Sequence, residues 1–413
     1  MREGYTSLAM NDHGVRRSIL AWTFFWAIGS TTLSLARDPK EVTRPFTQDG
    51  LWKLDVHALG YVAPAGREWG PYPLPRMGPL CFLADGRIVA TFTTRTTPGT
   101  PSRREDIGTS SLPLRLHALF VDSKTGTLQT IREWPTGSDR SRITPAPGGF
   151  VVVTPERLAL FSLGIAPLKQ LTLTERQEAE LVSFQPEASP GAKFLLIKWE
   201  ARTGVQELYK LVNLDDLQVT MYWGSYLGGD VGAVSDDGLV TASSGGEGTK
   251  IGKPGDPTRS PCPSADKNCL GGVFVSRDTL FGIEPPLRQE FSMHLTRIDG
   301  TIIFDQDLPH GEVINPNYPA VGGQRFAVAV YQGKGGSNAL DIAPHYSLDR
   351  IIIYDLASRR WFFTLHGKDQ GIKSISALAL SPDGTLLALI DQDGKLRVYL
   401  ISETPRSTGV ADK

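Results

Sequence analysis

Beyond Arg37 no long segment carries the three-to-four-residue spacing of an amphipathic helix. Short apolar runs recur instead, each cut off by Gly, Pro or Asp. The clearest stretch is Ser376–Ile401, SALALSPDGTLLALIDQDGKLRVYLI. Its pattern predicts three strands joined by turns at Pro382-Asp383-Gly384 and Asp393-Gly394. In the last of them Leu396, Val398 and Leu400 alternate with Arg397 and Tyr399, the period of a strand with two unlike faces. Asp-Gly, a pair that tolerates the positive φ of tight hairpins, occurs at Asp49, Asp85, Asp237, Asp299, Asp383 and Asp393.

The same turn followed by an apolar run recurs upstream. FLADGRIV at 82–89, TPAPGGFVVVT at 144–154 and QPEASPGAKFLLIK at 185–198 are copies. VSDDGLVTA at 234–242, VFVSRDTLFGI at 273–283 and YPAVGGQRFAVAV at 318–330 extend the series. A second hairpin usually follows, as at 119–134, 295–308 and 351–365. Copies spaced roughly 40–60 residues apart have the period of propeller blades. Seven first hairpins can be traced but only six second hairpins. Residues 244–270 read as too poor in apolar side chains to supply strands. The expected fold class is therefore all-β, a β-propeller of six to seven four-stranded blades, with an inserted hairpin at 271–285 if there are six. The last blade ends after its third strand. Leu51–Val56 is expected to supply the missing fourth, pairing the two ends of the chain and removing an open sheet edge.

SPDGTLLALIDQDGKLRVYLI resembles a WD40-like or related bacterial propeller repeat, clearly over 374–401 and more faintly from 79 to 366. The Trp-Asp ending and regular Gly-His opening of the eukaryotic repeat are absent. The resemblance implies a propeller that binds partners on one face. It also admits the propeller enzymes: lactonases, lyases and quinone-dependent dehydrogenases with a site at the central funnel.

Composition narrows the classes. Gly (43) and Pro (29) make 72 of 413 residues, about 17% against an average near 12%, which suits a turn-rich chain. With 40% hydrophobic and 21% charged residues the chain is neither disordered nor a polytopic membrane protein. A net charge of −1 gives no basic footprint for nucleic acid. At the N-terminus Arg16-Arg17 precede the apolar run Ile19–Ile28, and Ser34-Leu35-Ala36 follows a Gly/Ser/Thr-rich stretch. This is the plan of a secretory signal peptide over 1–36, because a spanning helix needs about 20 apolar residues. An uncleaved anchor and a twin-arginine signal are the alternatives. The expected organisation is signal peptide 1–36, linker 37–50, propeller 51–403 and polar tail 404–413, in a periplasmic or extracellular protein with no membrane span once the signal is removed.

Cys262 and Cys269 bracket the polar loop PCPSADKNC and are disulfide candidates after export. Closing so short a loop would constrain the unfolded chain by about 2–2.5 kcal/mol. Cys81, between Leu80 and Phe82, reads as a buried thiol. No metal site and no cofactor is expected: there is no C-x-x-C, H-E-x-x-H, G-x-S-x-G or EF-hand loop. The stretches Gly248–Pro254 and Gly333–Ser337 lack the spacing of a phosphate loop.

In a propeller, the loops between second and third strands and those between blades open on one face. The long turn-rich stretches Thr94–Leu112, Ser243–Leu270 and Gln332–Ser347 are expected there and are the candidate surface for a protein, peptide or glycan ligand. Two blade connections carry His before Gly, at His310-Gly311-Glu312 and His366-Gly367-Lys368-Asp369. If the protein is an enzyme, His310 and His366 are the candidate ligands or bases, with Glu312 or Asp369 orienting them. If not, each histidine bonds the adjacent turn. Trp134, Trp199, Trp223 and Trp361 are expected between blades.

Overall fold

The computed structural model of the chain describes residues 50–56, 76–94, 114–138, 140–173, 181–201, 206–225, 230–244, 248–253, 260–261, 272–284, 291–314, 319–333 and 346–401. Apart from a 3-10 turn at Lys368–Gln370, these residues hold strands and their connections.

The strands form seven antiparallel sheets in chain order. Blade 1 holds Arg76–Phe82, Arg87–Thr94, Arg115–Asp122 and Leu128–Pro135; blade 2 holds Arg142–Ala146, Gly149–Val153, Arg157–Ser162 and Pro167–Thr172. Blade 3 holds Leu181–Ala188, Phe194–Ala201, Gln206–Asn213 and Val219–Ser225; blade 4 holds Asp230–Val234, Val240–Ser244, Gly248–Gly252 and Ser260–Pro261. Blade 5 holds Val273–Phe274, Thr279–Glu284, Ser292–Arg297 and Ile302–Asp307. In blade 6 the first strand is split into Glu312–Ile314 and Ala320–Gly322, both paired to Arg325–Gly333, with Tyr346–Asp355 and Arg360–His366 outside them. Blade 7 holds Ile375–Leu380, Leu386–Asp391 and Lys395–Leu400, and takes its outer strand from Trp52–Asp55.

The chain is a seven-bladed β-propeller. The ring closes as the sequence pattern predicts, with Trp52 opposite Val398 and Asp55 opposite Lys395. Blade 4 corrects the sequence reading in two respects. Residues 244–270 are not strandless, because Gly248–Gly252 and Ser260–Pro261 complete that sheet. Nor is Ser243–Leu270 one long loop after a second strand. The composition of these two strands shows why they escape hydrophobic patterning. Their pairing is carried by backbone hydrogen bonds, and among their described side chains only Ile251 is a large buried apolar group.

Seven apolar clusters hold the ring, one at each seam between successive blades. Strand alternation builds them from both faces of a sheet. On the second strand of blade 1, Ile88, Ala90 and Phe92 face blade 7 while Val89 faces blade 2. That is why these strands read as near-continuous apolar runs. Each seam also carries a hydrogen bond. Trp52 Nε1 donates to Ser123 O at 2.7 Å across the closure, and Arg87 donates to Leu163 O across the next seam. Lys169 Nζ donates to Asp216 O at 2.6 Å, and Gly191 N to Asp236 Oδ1 at 2.8 Å. Arg277 Nε donates to Asp237 Oδ2 at 2.6 Å, Trp361 Nε1 to Gln306 Oε1 at 3.2 Å, and Arg325 Nη1 to Gly384 O at 2.9 Å. Of the four tryptophans expected between blades, Trp199 and Trp361 are buried in seams and Trp134 packs against one.

Candidate functional site

Antiparallel order gives the ring two unlike faces. One receives the turns between first and second and between third and fourth strands. These are tight: Leu83–Gly86, Ser235–Gly238 and Ser381–Gly384 each close with a backbone bond from the fourth residue to the first. Left-handed Gly86, Gly238 and Gly384 make that geometry cheap. Side chains lock the turns further. The Ser381 hydroxyl accepts from Thr385 N and Leu386 N, and Asp383 Oδ1 accepts from Thr385 N at 3.0 Å. Partial burial works against the Asp383 charge, but hydrogen bonds donated to it by the Ser381 hydroxyl and by the Thr385 backbone and hydroxyl outweigh it and hold the carboxyl below its usual range.

The opposite face receives the connections between second and third strands and those between blades. Thr94 and Arg115 of blade 1 and Gly333 and Tyr346 of blade 6 end on this face, while residues 95–113 and 334–345, most of two of the candidate loops, lie outside the described residues. No described connection on the turn face is as long. Cys262 and Cys269, the disulfide candidates, lie outside the described residues, as do His57, His345, the signal segment and the C-terminal tail.

Blade 6 presents the candidate polar residues on this loop face. Pro309–Glu312 is a tight turn in which Glu312 N donates to Pro309 O at 2.9 Å and Gly311 takes φ 82°. That turn puts His310 on an exposed corner and sends Glu312 inward at the start of the first strand. Glu312 is nearly buried, and Arg350 grips both its oxygens: Nη1 to Oε1 and Nη2 to Oε2, each at 2.8 Å. Arg350 Nη1 also reaches Asp349 Oδ2 at 2.6 Å. Burial opposes the Arg350 charge, but the hydrogen bonds and charges of Glu312 and Asp349 outweigh it and raise its pKa further above the usual value.

Across the sheet Arg350 pairs with His366, the last residue of the outer strand, which is exposed. Gly367 then turns the chain, its N–H donating to Asp349 O at 2.8 Å, and Asp369 sits exposed on the 3-10 turn. The structure thus brings Glu312 to Arg350 and sets Arg350 opposite His366. Among the described residues neither His310 nor His366 makes a hydrogen bond or ion pair to Glu312 or Asp369. Arg350 was missed in the sequence, although an Asp-Arg pair leading the apolar run IIIYD is the kind of signal that could have found it.

A second polar knot seals the blade 6–blade 7 connection. Asp391, buried, accepts from Arg397 Nε at 2.7 Å, and its other oxygen accepts from Asp393 N and Lys395 N at 2.9 Å. Arg397 Nη1 then donates to Gln370 O at 3.0 Å on the 3-10 turn. This network fixes the loop that carries Asp369. Cys81 is a free thiol packed against the seam between blades 1 and 2, and burial pushes its pKa up to about 12, so it stays protonated at neutral pH.

No family model matches the chain, and no curated protein matches its sequence. Solved structures do. One chain in the crystal structure of a mitotic checkpoint complex is 10% identical over 88% of this chain and 98% of its own, with a TM-score of 0.46. The WD40 domain of Neurospora crassa Pan2 is 9% identical over 87% of this chain and 99% of its own, with a TM-score of 0.45. The seven blades rest on the sheets and seams of this chain itself.

Proposed function

We propose that the protein is an exported, non-enzymatic binding module that takes a protein, peptide or glycan ligand on its loop face. The observation that carries this reading is the asymmetry of the ring. Every described tight turn between first and second strands lies on one face. The long connections after Thr94 and after Gly333 leave from the other. A frame packed and hydrogen-bonded at all seven seams fixes the strand ends from which such loops leave, as a recognition surface requires. The alternative, a propeller enzyme using His310, His366, Glu312 and Asp369, draws less support. Glu312 has both oxygens held by Arg350 in a nearly buried ion pair, and among the described residues neither histidine bonds to it.

Replacing residues 95–113 or 334–345 with short Gly-Ser turns is expected to abolish capture of the partner from an envelope extract, with the melting temperature unchanged. Capture that is undiminished, or no reproducible partner at all, counts against the reading. A rise in melting temperature on adding divalent metals or a quinone would favour the enzyme. Export has its own measurement, the N-terminal residue of the protein recovered from the envelope, expected near Arg37.

A further inference from the structure

His117 lies on the third strand of blade 1 and is fully buried. Its ring lies flat on Phe92, with centroids 5.0 Å apart and planes 5° from parallel. Among the described residues neither ring nitrogen has a hydrogen-bond partner. Glu133 stands directly opposite on the outer strand, Oε1 3.3 Å from Nδ1, a contact of charge rather than of hydrogen-bond geometry.

The position matters because of which seam it occupies. Phe92, and Leu119 and Val121 on the same face of His117's own strand, belong to the cluster that joins blade 1 to blade 7. Trp52 and Leu54 of the closing strand pack against that same cluster. No covalent bond joins Trp52–Asp55 to Lys395–Leu400; backbone pairing and the packing of Trp52 and Leu54 on this cluster hold the two strands together.

A proton on His117 would place a charge inside this apolar seam. The charged groups near it are Glu133 on the outer strand, which favours the proton, and Arg115 on its own strand, which opposes it. From the second strand it meets Phe92, flanked by the buried neutral Thr91 and Thr93. From blade 7 the facing buried side chains are Ala379, Ala388, Ile390, Leu396 and Val398, and the closing strand adds Lys53 and Asp55 on its exposed face. Burial outweighs the pull of Glu133 and sets the folded pKa below the ordinary 6.5.

We propose that His117 is an acid-sensitive catch on the ring closure: when its imidazole takes up a proton, the seam between blades 1 and 7 loosens and the closing strand Trp52–Asp55 is released with it. The sign follows from linkage. The unfolded or opened chain binds this proton more readily than the closed ring. Stability from a neutral His117 is therefore whole above the ordinary 6.5 and is lost as pH falls from there through the lower folded value.

Hydrogen exchange on the full chain at pH 7.5 and 5.0, corrected for intrinsic rates, tests the proposal. Amides of 52–56 and 88–92 are expected to lose protection on acidification, while those of 195–199, in the seam between blades 2 and 3, hold theirs. His117→Phe should abolish the pH-dependent loss. Glu133→Gln, which withdraws the one favourable charge, should carry the loss to lower pH. An equal loss at both seams, or a His117→Phe protein that follows the wild type, overturns the proposal. If His117→Phe does not fold, Glu133→Gln followed stepwise below pH 5.0 decides: a loss that continues to lower pH than in the wild type supports the catch, and one that levels off at the same or a higher pH refutes it.

Discussion

The turn between first and second strands is one local solution used repeatedly, and its variants show what each residue does. In blade 7 the sequence Ser381-Pro382-Asp383-Gly384 puts Gly at the left-handed position, φ 68°. In blade 3 the corresponding Ser189-Pro190-Gly191-Ala192 puts Ala there instead, φ 53°. Both turns close alike: Ala192 N donates to Ser189 O at 2.9 Å and Gly384 N to Ser381 O at 2.8 Å. Both serine hydroxyls also cap the strand that follows. The Ala192 backbone is therefore strained by about 1–2 kcal/mol, set against roughly 0.5–1 kcal/mol of extra chain entropy that a glycine would lose. Ala192→Gly is expected to stabilise the protein by about 0.5–1 kcal/mol, read from the denaturant midpoint at unchanged slope. No gain, or a loss, would show that the Ala192 methyl packs well enough to offset its backbone. The reverse change in blade 7 has no such freedom, since a Cβ on Gly384 would stand 2.9 Å from Gly322 O of blade 6.

At the scale of the element, the closing strand shows how much of the fold was legible in the sequence and by what signal. Leu396, Val398 and Leu400 marked an outermost third strand, and the chain had no fourth to follow it. The apolar-polar alternation Trp52-Lys53-Leu54-Asp55 supplied one, and it pairs as expected. Blade 4 was illegible for the opposite reason. Gly248–Gly252 and Ser260–Pro261 carry almost no apolar side chains, so their strand character comes from sheet neighbours rather than from local pattern. The candidate site was half legible. His310 and His366 fall on the loop face because their position in the blade cycle put them there. The Glu312–Arg350 pair joins first and third strands, a contact that no local spacing reports. The closing strand is also where a single side chain has leverage. Trp52 donates across the seam to Ser123, and its ring covers Gly126, where a Cβ would stand 2.7 Å from the indole. Trp52→Ala is expected to cost about 2–4 kcal/mol, since the ring is only half-buried, and to expose the N-terminal segment to limited proteolysis. Lys53→Ala, on the exposed face of the same strand, should stay within about 0.5 kcal/mol of wild type. Equal effects of the two would mean that the closure rests on backbone pairing alone.

Across the whole molecule the seven seams are far from equal, and the inequality predicts where the ring opens. The seam between blades 6 and 7 gathers bulky buried groups from every strand, including Tyr331, Ile351, Phe362, Phe363, Leu389 and Tyr399. Among the described residues blade 4 shows no comparable core, the side chains of 242–244, 248–250 and 260–261 lying outside the description. It meets blade 5 through Ala233, Ile251, Phe274 and Leu280, and meets blade 3 through Val234 and Val240 against Leu196, Tyr209 and Leu211. Part of its interior is polar: Thr241 is buried and accepts a hydrogen bond from Ala233 N at 2.9 Å within the same sheet. Buried apolar area contributes about 25 cal/mol per Å², so on the described side chains the two seams of blade 4 are expected to resist opening least. In a closed ring a weak blade can open without unfolding its neighbours, because the other seams still pack in sequence around the circle. Native-state hydrogen exchange at neutral pH is expected to find the amides of 231–234 and 240–243 opening at the lowest free energy in the ring, well below those of 351–354 and 387–390. Phe274→Ala, which removes the largest group from the blade 4–blade 5 seam, should lower protection in blade 4 by up to about 3–5 kcal/mol while leaving blades 6 and 7 unchanged. If blade 4 proves as well protected as blade 7, ring closure rather than seam area governs local stability. The Phe274→Ala change would then spread evenly over all seven blades.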